Sequence, residues 1–200
     1  MAKSAYHHGD LANALVAGAL TLIEQGGAEA VSLRDLAQSL GVSRAAPYRH
    51  FEDRDALLAA VAARGFDDLN AEYEAALATP GDGRAKLRAA GKAFFGFATR
   101  RPGLYRLMFQ SDLLNRNPPP AVLIPPADRS YHLLWRAIEV AFPEADKKEV
   151  KVRAVLMFST SHGFLALDQA GRFKPFMYEP MTHAEMVEAV MGSALGPATT

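Results

Sequence analysis

An all-α fold of about nine helices is what this chain predicts, and three observations carry the prediction. Ala, Leu, Glu and Arg, all strong helix formers, dominate the sequence. Apolar residues recur at spacings of three and four, and alternating segments joined by hairpin turns are missing. Capping residues and glycine stops punctuate the chain at helix-length intervals. At 200 residues there is room for one large domain or two small ones, each able to bury a core.

The first helix is expected from Asp10, a good N-cap, to about Gln25. Leu11, Leu15, Ala19, Leu22 and Ile23 form one apolar stripe, and Gly26-Gly27 stops it. Ser32 then caps "LRDLAQSL", with Asp35 placed for a capping-box-like pair, and Leu33, Leu36, Ala37 and Leu40 face inward. Gly41 ends this second helix and Ser43 caps a third, with Arg44 as its first helical residue and Pro47 as its fourth. Asp53 caps a long fourth helix that ends before Pro80-Gly81.

The fifth helix, roughly Gly83 to Thr99, carries Leu87, Phe94, Phe95 and Phe97, and a short sixth starts at Pro102. Five prolines in "SDLLNRNPPPAVLIPP" predict a stretch without regular structure. The seventh helix is expected from about Ala127 to Phe142. The eighth runs from Ala145 to about Ala170 and is apolar on nearly every side between Val152 and Leu167, and the ninth runs from roughly Thr182 to Ala194.

Net charge is zero, with 22 basic and 22 acidic residues, so any polyanion must be bound through local placement of charge. There is no cysteine, which excludes disulfide and thiolate chemistry. The opening "MAKSAYHHGD" lacks a signal-peptide pattern and no apolar run reaches membrane length, so a cytoplasmic location is expected.

Two short helices joined at Gly41, with the small Ala37 four positions earlier, match the DNA-binding helix-turn-helix. Ala37 lets two helices cross closely, Gly41 supplies the turn and Val42 fills the corner. Residues Arg44 to His50 are then held out on one face. Arg44 and Arg49 are the side chains there able to pair bidentately with guanine, while Ala45 and Ala46 offer methyl contact to thymine. Ser32 and Ser43 stand at helix starts, where free N–H groups and the helix dipole favour phosphate. Over residues 1 to 56, however, five basic residues face seven acids, a balance of −2. The acids are expected to face away from the duplex.

The order around this motif, "VSLRDLAQSLGVSRAAPYRHFEDRDALL" after one capped helix and before a long one, resembles the N-terminal domain of the TetR family of transcriptional regulators. The phrases "YHHGDLANAL" and "FSTSHGFLAL" resemble a branch whose C-terminal domain carries a Trp-x-x-x-His-Gly signature, with Phe158 here in the tryptophan's place. The resemblance implies a homodimer on a palindromic operator, with residues 1–67 binding DNA and 68–200 binding a small-molecule effector and dimerising. It implies a ligand-responsive regulator, a repressor released by that molecule, with no cofactor. It further implies that Arg34 and Arg44 meet bases or backbone, that Ala45 and Ala46 lie on the groove floor, that Tyr48 and His50 reach phosphates, and that Arg54 supplies a cation at the start of the fourth helix.

In the C-terminal part, the eighth helix needs cover on two sides. With the ninth it would form a four-helix interface with a second copy, through Phe158, Phe164, Met186, Val187, Val190 and Met191. Phe94, Phe97, Tyr105, Phe109, Tyr131 and Trp135 either line an apolar cavity or are plain core, with His132, Ser159, Ser161 and His162 as its candidate polar groups.

Catalysis finds little support. Ser161 and His162 are neighbours, about 100° apart on a helix, and cannot act as a nucleophile–base pair. His7 and His8 do not converge on a metal, and they are assigned to the helix start, near the DNA backbone. No metal site is expected. The alternative to a DNA-binding regulator is a helical adaptor whose helix-turn-helix binds protein.

Overall fold

The computed structural model describes residues 8–194, with side chains for 11–193. His7, expected at the helix start, lies outside the described residues. Eight α-helices follow one another: α1 (His8–Gly26), α2 (Leu33–Ser39), α3 (Arg54–Ala78), α4 (Gly83–Arg100), α5 (Pro102–Gln110), α6 (Ile124–Ala141), α7 (Lys147–Gln169) and α8 (His183–Ala194). There is no strand among the described residues, so the all-α prediction holds.

Ser32 and Asp53 cap the helices they predict, whereas α1 already begins at His8, so Asp10 lies within it and is not its N-cap. The Ser32 hydroxyl accepts from the Asp35 N–H at 3.3 Å, and the Asp53 carboxylate accepts from the Ala56 N–H at 2.7 Å. Asp146 caps α7 by accepting from the Glu149 N–H at 2.8 Å. Such caps satisfy donors that have no partner inside the helix.

Two further expectations are corrected. The third expected helix is not an α-helix: residues 44–46 form a turn and Pro47–Arg49 a single 3-10 turn. Proline is the reason. It has no N–H to donate to the Ser43 carbonyl, which instead accepts from the Ala46 N–H at 2.9 Å, and its ring would crowd that carbonyl in an α-helix. The second correction lies in the proline-rich stretch, where α6 already starts at Ile124 and includes Pro125 and Pro126. Both prolines fall in its first turn, where an N–H would have had no acceptor within the helix.

By packing, the chain divides into two compact units, one made of the chain up to Asp68 with Arg101–Asp128, the other of Leu69–Arg100 with the chain from Arg129. In the first, α1 buries Leu11, Leu15, Ala19 and Ile23 and packs on α2 and α5. Two features hold α5 there. The Glu24 carboxylate, at the end of α1, accepts from the N–H groups of Gly103 and Leu104 at 3.0 and 3.3 Å. Gly103 lies so close to α1 that an added Cβ would stand 2.4 Å from the Ile23 carbonyl oxygen. Arg101 pairs with Asp68 at 2.9 Å, and Arg116 with Asp55 at 2.7 Å.

In the second unit α7 packs on α8 and α4. Leu87, Ala137, Ile138, Ala141, Val150, Ala154 and Met157 form its buried centre, with Trp135 and Phe142 against it.

Candidate nucleic-acid interface

The candidate interface is carried by α2 and the turn that packs on it. Buried Leu33, Leu36 and Ala37 hold α2 in the unit, which leaves Arg34 on its outer side. Gly41 adopts a φ of 68°, a left-handed conformation that a side chain would strain, and so lets the chain reverse direction. The Val42 N–H then closes the corner onto the Ala37 carbonyl at 3.0 Å. Pro47 is buried and anchors the 3-10 turn from inside.

Around that anchor Ser43, Arg44, Ala45 and Arg49 are exposed, Tyr48 is 55 % exposed, and Ala46 and His50 are half-buried. The guanidinium groups of Arg34, Arg44 and Arg49 make no ion pair or hydrogen bond among the described residues. Ser43 offers its backbone carbonyl to Ala46, and no side-chain cap is made at the 3-10 turn.

The acids of this region are largely occupied. Glu24 caps α5, Asp53 caps α3, Asp55 pairs with Arg116, and Glu29 lies 3.5 Å from Arg54. Each of these carboxylates has a protein donor, which favours its charged form, so the unfavourable charge balance over residues 1 to 56 is not relieved. Arg54 differs from the role the resemblance implies. Its guanidinium turns onto the protein, where Nε donates to the Val31 carbonyl at 3.1 Å and Nη2 to the Ala28 carbonyl at 2.6 Å.

In the second unit α7 carries an exposed apolar stripe. Val152, Val155, Leu156 and Leu167 are 50, 60, 58 and 48 % exposed, at helical spacings of three, four and eleven. Gly163 lies between them with open space where a Cβ would stand. Of the residues expected to dimerise, Phe158 is 46 % exposed, and Met186, Val187 and Val190 are half-buried. Phe164 and Met191 are corrected. Both are buried in their own unit, Phe164 against Phe95 and Phe173 with ring centroids 5.8 and 4.9 Å away, and Met191 beside Gly91. Periodicity marks α7 as needing cover on two sides, but not which side its own unit supplies.

The aromatic residues offered as cavity lining serve mostly as core. Phe97 and Tyr105 are fully buried and Phe94 nearly so. Tyr105 packs on Phe109, which meets Phe66 edge-on in the first unit, and burial pushes the Tyr105 phenol up to about 12. In the second unit Tyr131 is exposed and lies against half-buried Trp135, while His132 and Ser159 are exposed and Ser161 half-buried. A recess of about 290 Å³ exists elsewhere in this unit, bounded by Arg84, Phe142, Pro143, Glu144 and Glu149. None of the aromatic candidates lines it.

His162 sits between the Phe94 and Phe158 rings, at 5.1 and 4.0 Å, and burial lowers its pKa from 6.5 to about 4. The unfolded chain therefore binds a proton here between those values and the folded chain does not. This contribution to stability is complete above pH 6.5 and is lost as pH falls towards 4. Replacing His162 by Gln is expected to flatten the fall in melting temperature over that window. Parallel curves for the two proteins would show that His162 plays no part in it.

Two family models match successive parts of the chain. The family model described as bacterial regulatory proteins, tetR family, matches residues 15–61. That described as the tetracyclin repressor-like C-terminal domain matches residues 87–192. The transcriptional activator FasR of Mycolicibacterium smegmatis is 36 % identical over 98 residues, covering 49 % of this chain and 44 % of FasR. The nucleoid occlusion factor SlmA of Escherichia coli is 34 % identical over 102 residues, 48 % of this chain and 52 % of SlmA. The chain thus spans about half the length of these curated relatives.

Among solved structures, a protein of unknown function from Rhodococcus sp. RHA1 is 31 % identical, with a TM-score of 0.80 over 96 % of this chain and 97 % of that one. The TetR family regulator PfmR from Thermus thermophilus shares the fold, at 23 % identity and a TM-score of 0.65, over 93 % of this chain and 99 % of PfmR. No helix among the described residues is long and apolar enough to cross a membrane.

Proposed function

The chain belongs to the TetR family of bacterial regulatory proteins, and from that premise we propose that it is a transcriptional regulator that binds a palindromic operator as a homodimer. The observation that carries this reading is the set of three unpaired guanidiniums, Arg34, Arg44 and Arg49, exposed beside Tyr48 on α2 and its turn. Arginine left without a carboxylate partner is suited to bidentate contact with guanine or phosphate. Residues 1–67 form the DNA-binding part and 68–200 the part that receives a small-molecule effector and dimerises. The dimer is supported by the α7 stripe, since Val152, Val155, Leu156 and Leu167 need a cover that a second α7 supplies by symmetry.

The test is a band shift on a duplex selected from a random pool by the wild-type protein. Arg44→Ala is expected to weaken binding by about 1–3 kcal/mol, and Tyr48→Phe to weaken it as well, with the dimer intact. Unchanged binding in both variants would favour the adaptor reading, in which this motif contacts protein.

With few cations on this face, the salt slope of binding is expected to lie well below the value of about −10 reached by strongly basic repressors. We assign the direction of control as repression relieved by the effector. Deleting the gene should then raise transcription from the bound promoter, whereas a fall would make the protein an activator, as FasR is by name.

A further inference from the structure

Arg54 opens α3, yet its side chain reaches back 23 and 26 residues along the chain, to the carbonyls of Val31 and Ala28. Those carbonyls belong to the first residue of the 3-10 turn Ala28–Ala30 that leads into α2 and to the residue just after it, and Val31 directly precedes the cap Ser32. The Ala28 carbonyl accepts twice, from the Val31 N–H at 3.1 Å and from Arg54. Two nitrogens of one planar group thus grip two successive points of the lead-in, a geometry that one ammonium does not reproduce. Asp55, 3.6 Å away, and Glu29, 95 % exposed at 3.5 Å, add little to the grip, since exposed ion pairs are weak.

From this grip we infer that Arg54 is a positioning residue for DNA binding: it holds the start of α2, and through α2 the exposed Arg34, in place against α3. The inference rests on the DNA-binding reading above and reassigns one cation within it. A phosphate contact and a brace differ in what salt does to them. A lost phosphate contact lowers the slope of log affinity against log salt by about 0.9, because fewer counterions are released. A lost brace weakens binding without that change.

The experiment compares wild type, Arg54→Ala, Arg54→Lys and Glu29→Ala on the selected duplex across salt, at a temperature where melting curves show all four folded. Arg54→Ala is expected to lose about tenfold or more in affinity with the salt slope unchanged. Arg54→Lys should fail to restore it, and Glu29→Ala should bind as wild type. Amide exchange in Arg54→Ala should quicken at Asp35 and Leu36, whose N–H groups bond to Ser32, while the middle of α3 keeps its protection.

A slope reduced by about one, with Arg54→Lys restoring binding, would make Arg54 a phosphate contact and overturn the inference. Unchanged affinity in Arg54→Ala would also overturn it, by showing a role in stability alone. If the wild-type protein selects no duplex, the DNA-binding reading itself fails, a result separate from either of these.

Discussion

Replacing Leu156 by Glu is expected to leave the chain folded and make it monomeric. Leu156 is 58 % exposed in the isolated chain and stands beside Val155, at 60 %, so a carboxylate there is hydrated and costs the subunit little. In a two-fold dimer the same position occurs twice, and each carboxylate would be taken out of water without a partner. At about 2 kcal/mol or more for each, dimer dissociation should rise by about a thousandfold. Sedimentation should show a species of one-chain mass with an unchanged helical spectrum. Operator affinity should fall with it, because one half-site cannot supply the contacts of two. A variant that stays dimeric would place the interface elsewhere.

Gly103→Ala is expected to cost about 2–4 kcal/mol in chemical unfolding, which is large for the addition of one methyl group. The new Cβ would meet the Ile23 oxygen at 2.4 Å, the Ile23 carbonyl carbon at 2.9 Å and the Glu24 Cα at 3.0 Å. All three are backbone atoms of α1, which cannot rotate away as a side chain would. Relief therefore requires α5 to lift off α1, and that also breaks the Glu24 cap on the Gly103 and Leu104 N–H groups. A loss below about 1 kcal/mol would show that α5 accommodates the methyl group by sliding along α1.

These residues also show how far the sequence can be read. Helix starts are legible where the signal is local. Ser32 and Asp53 each satisfy an N–H three positions on, and a cap acts within one turn. The turn at Gly41 is legible for the same reason. Pro47 misleads, because the orphaned donors of a first turn make an α-helix look tolerable there. Its missing N–H and its ring instead tighten the segment into a 3-10 turn.

Arg54, Phe164 and the aromatic residues require longer reach. The partners of Arg54 lie 23 and 26 residues away, and nothing in the spacing of charges points to a carbonyl as acceptor. Phe164 and Leu156 read alike along α7, yet one is buried against Phe95 and the other faces outward.

By itself the sequence determined the helical class, the turn at Gly41 after α2 and the family. The class and the turn are written in propensity, capping and apolar period, which act within a few residues of the chain. The family is written in the likeness of the residues around that turn to its members. Tertiary structure alone decided which guanidiniums remain unpaired, which side of α7 is uncovered and that α5 joins the N-terminal unit. Those outcomes depend on which distant backbone atoms come within hydrogen-bond or van der Waals distance, and the local pattern of residues does not encode that.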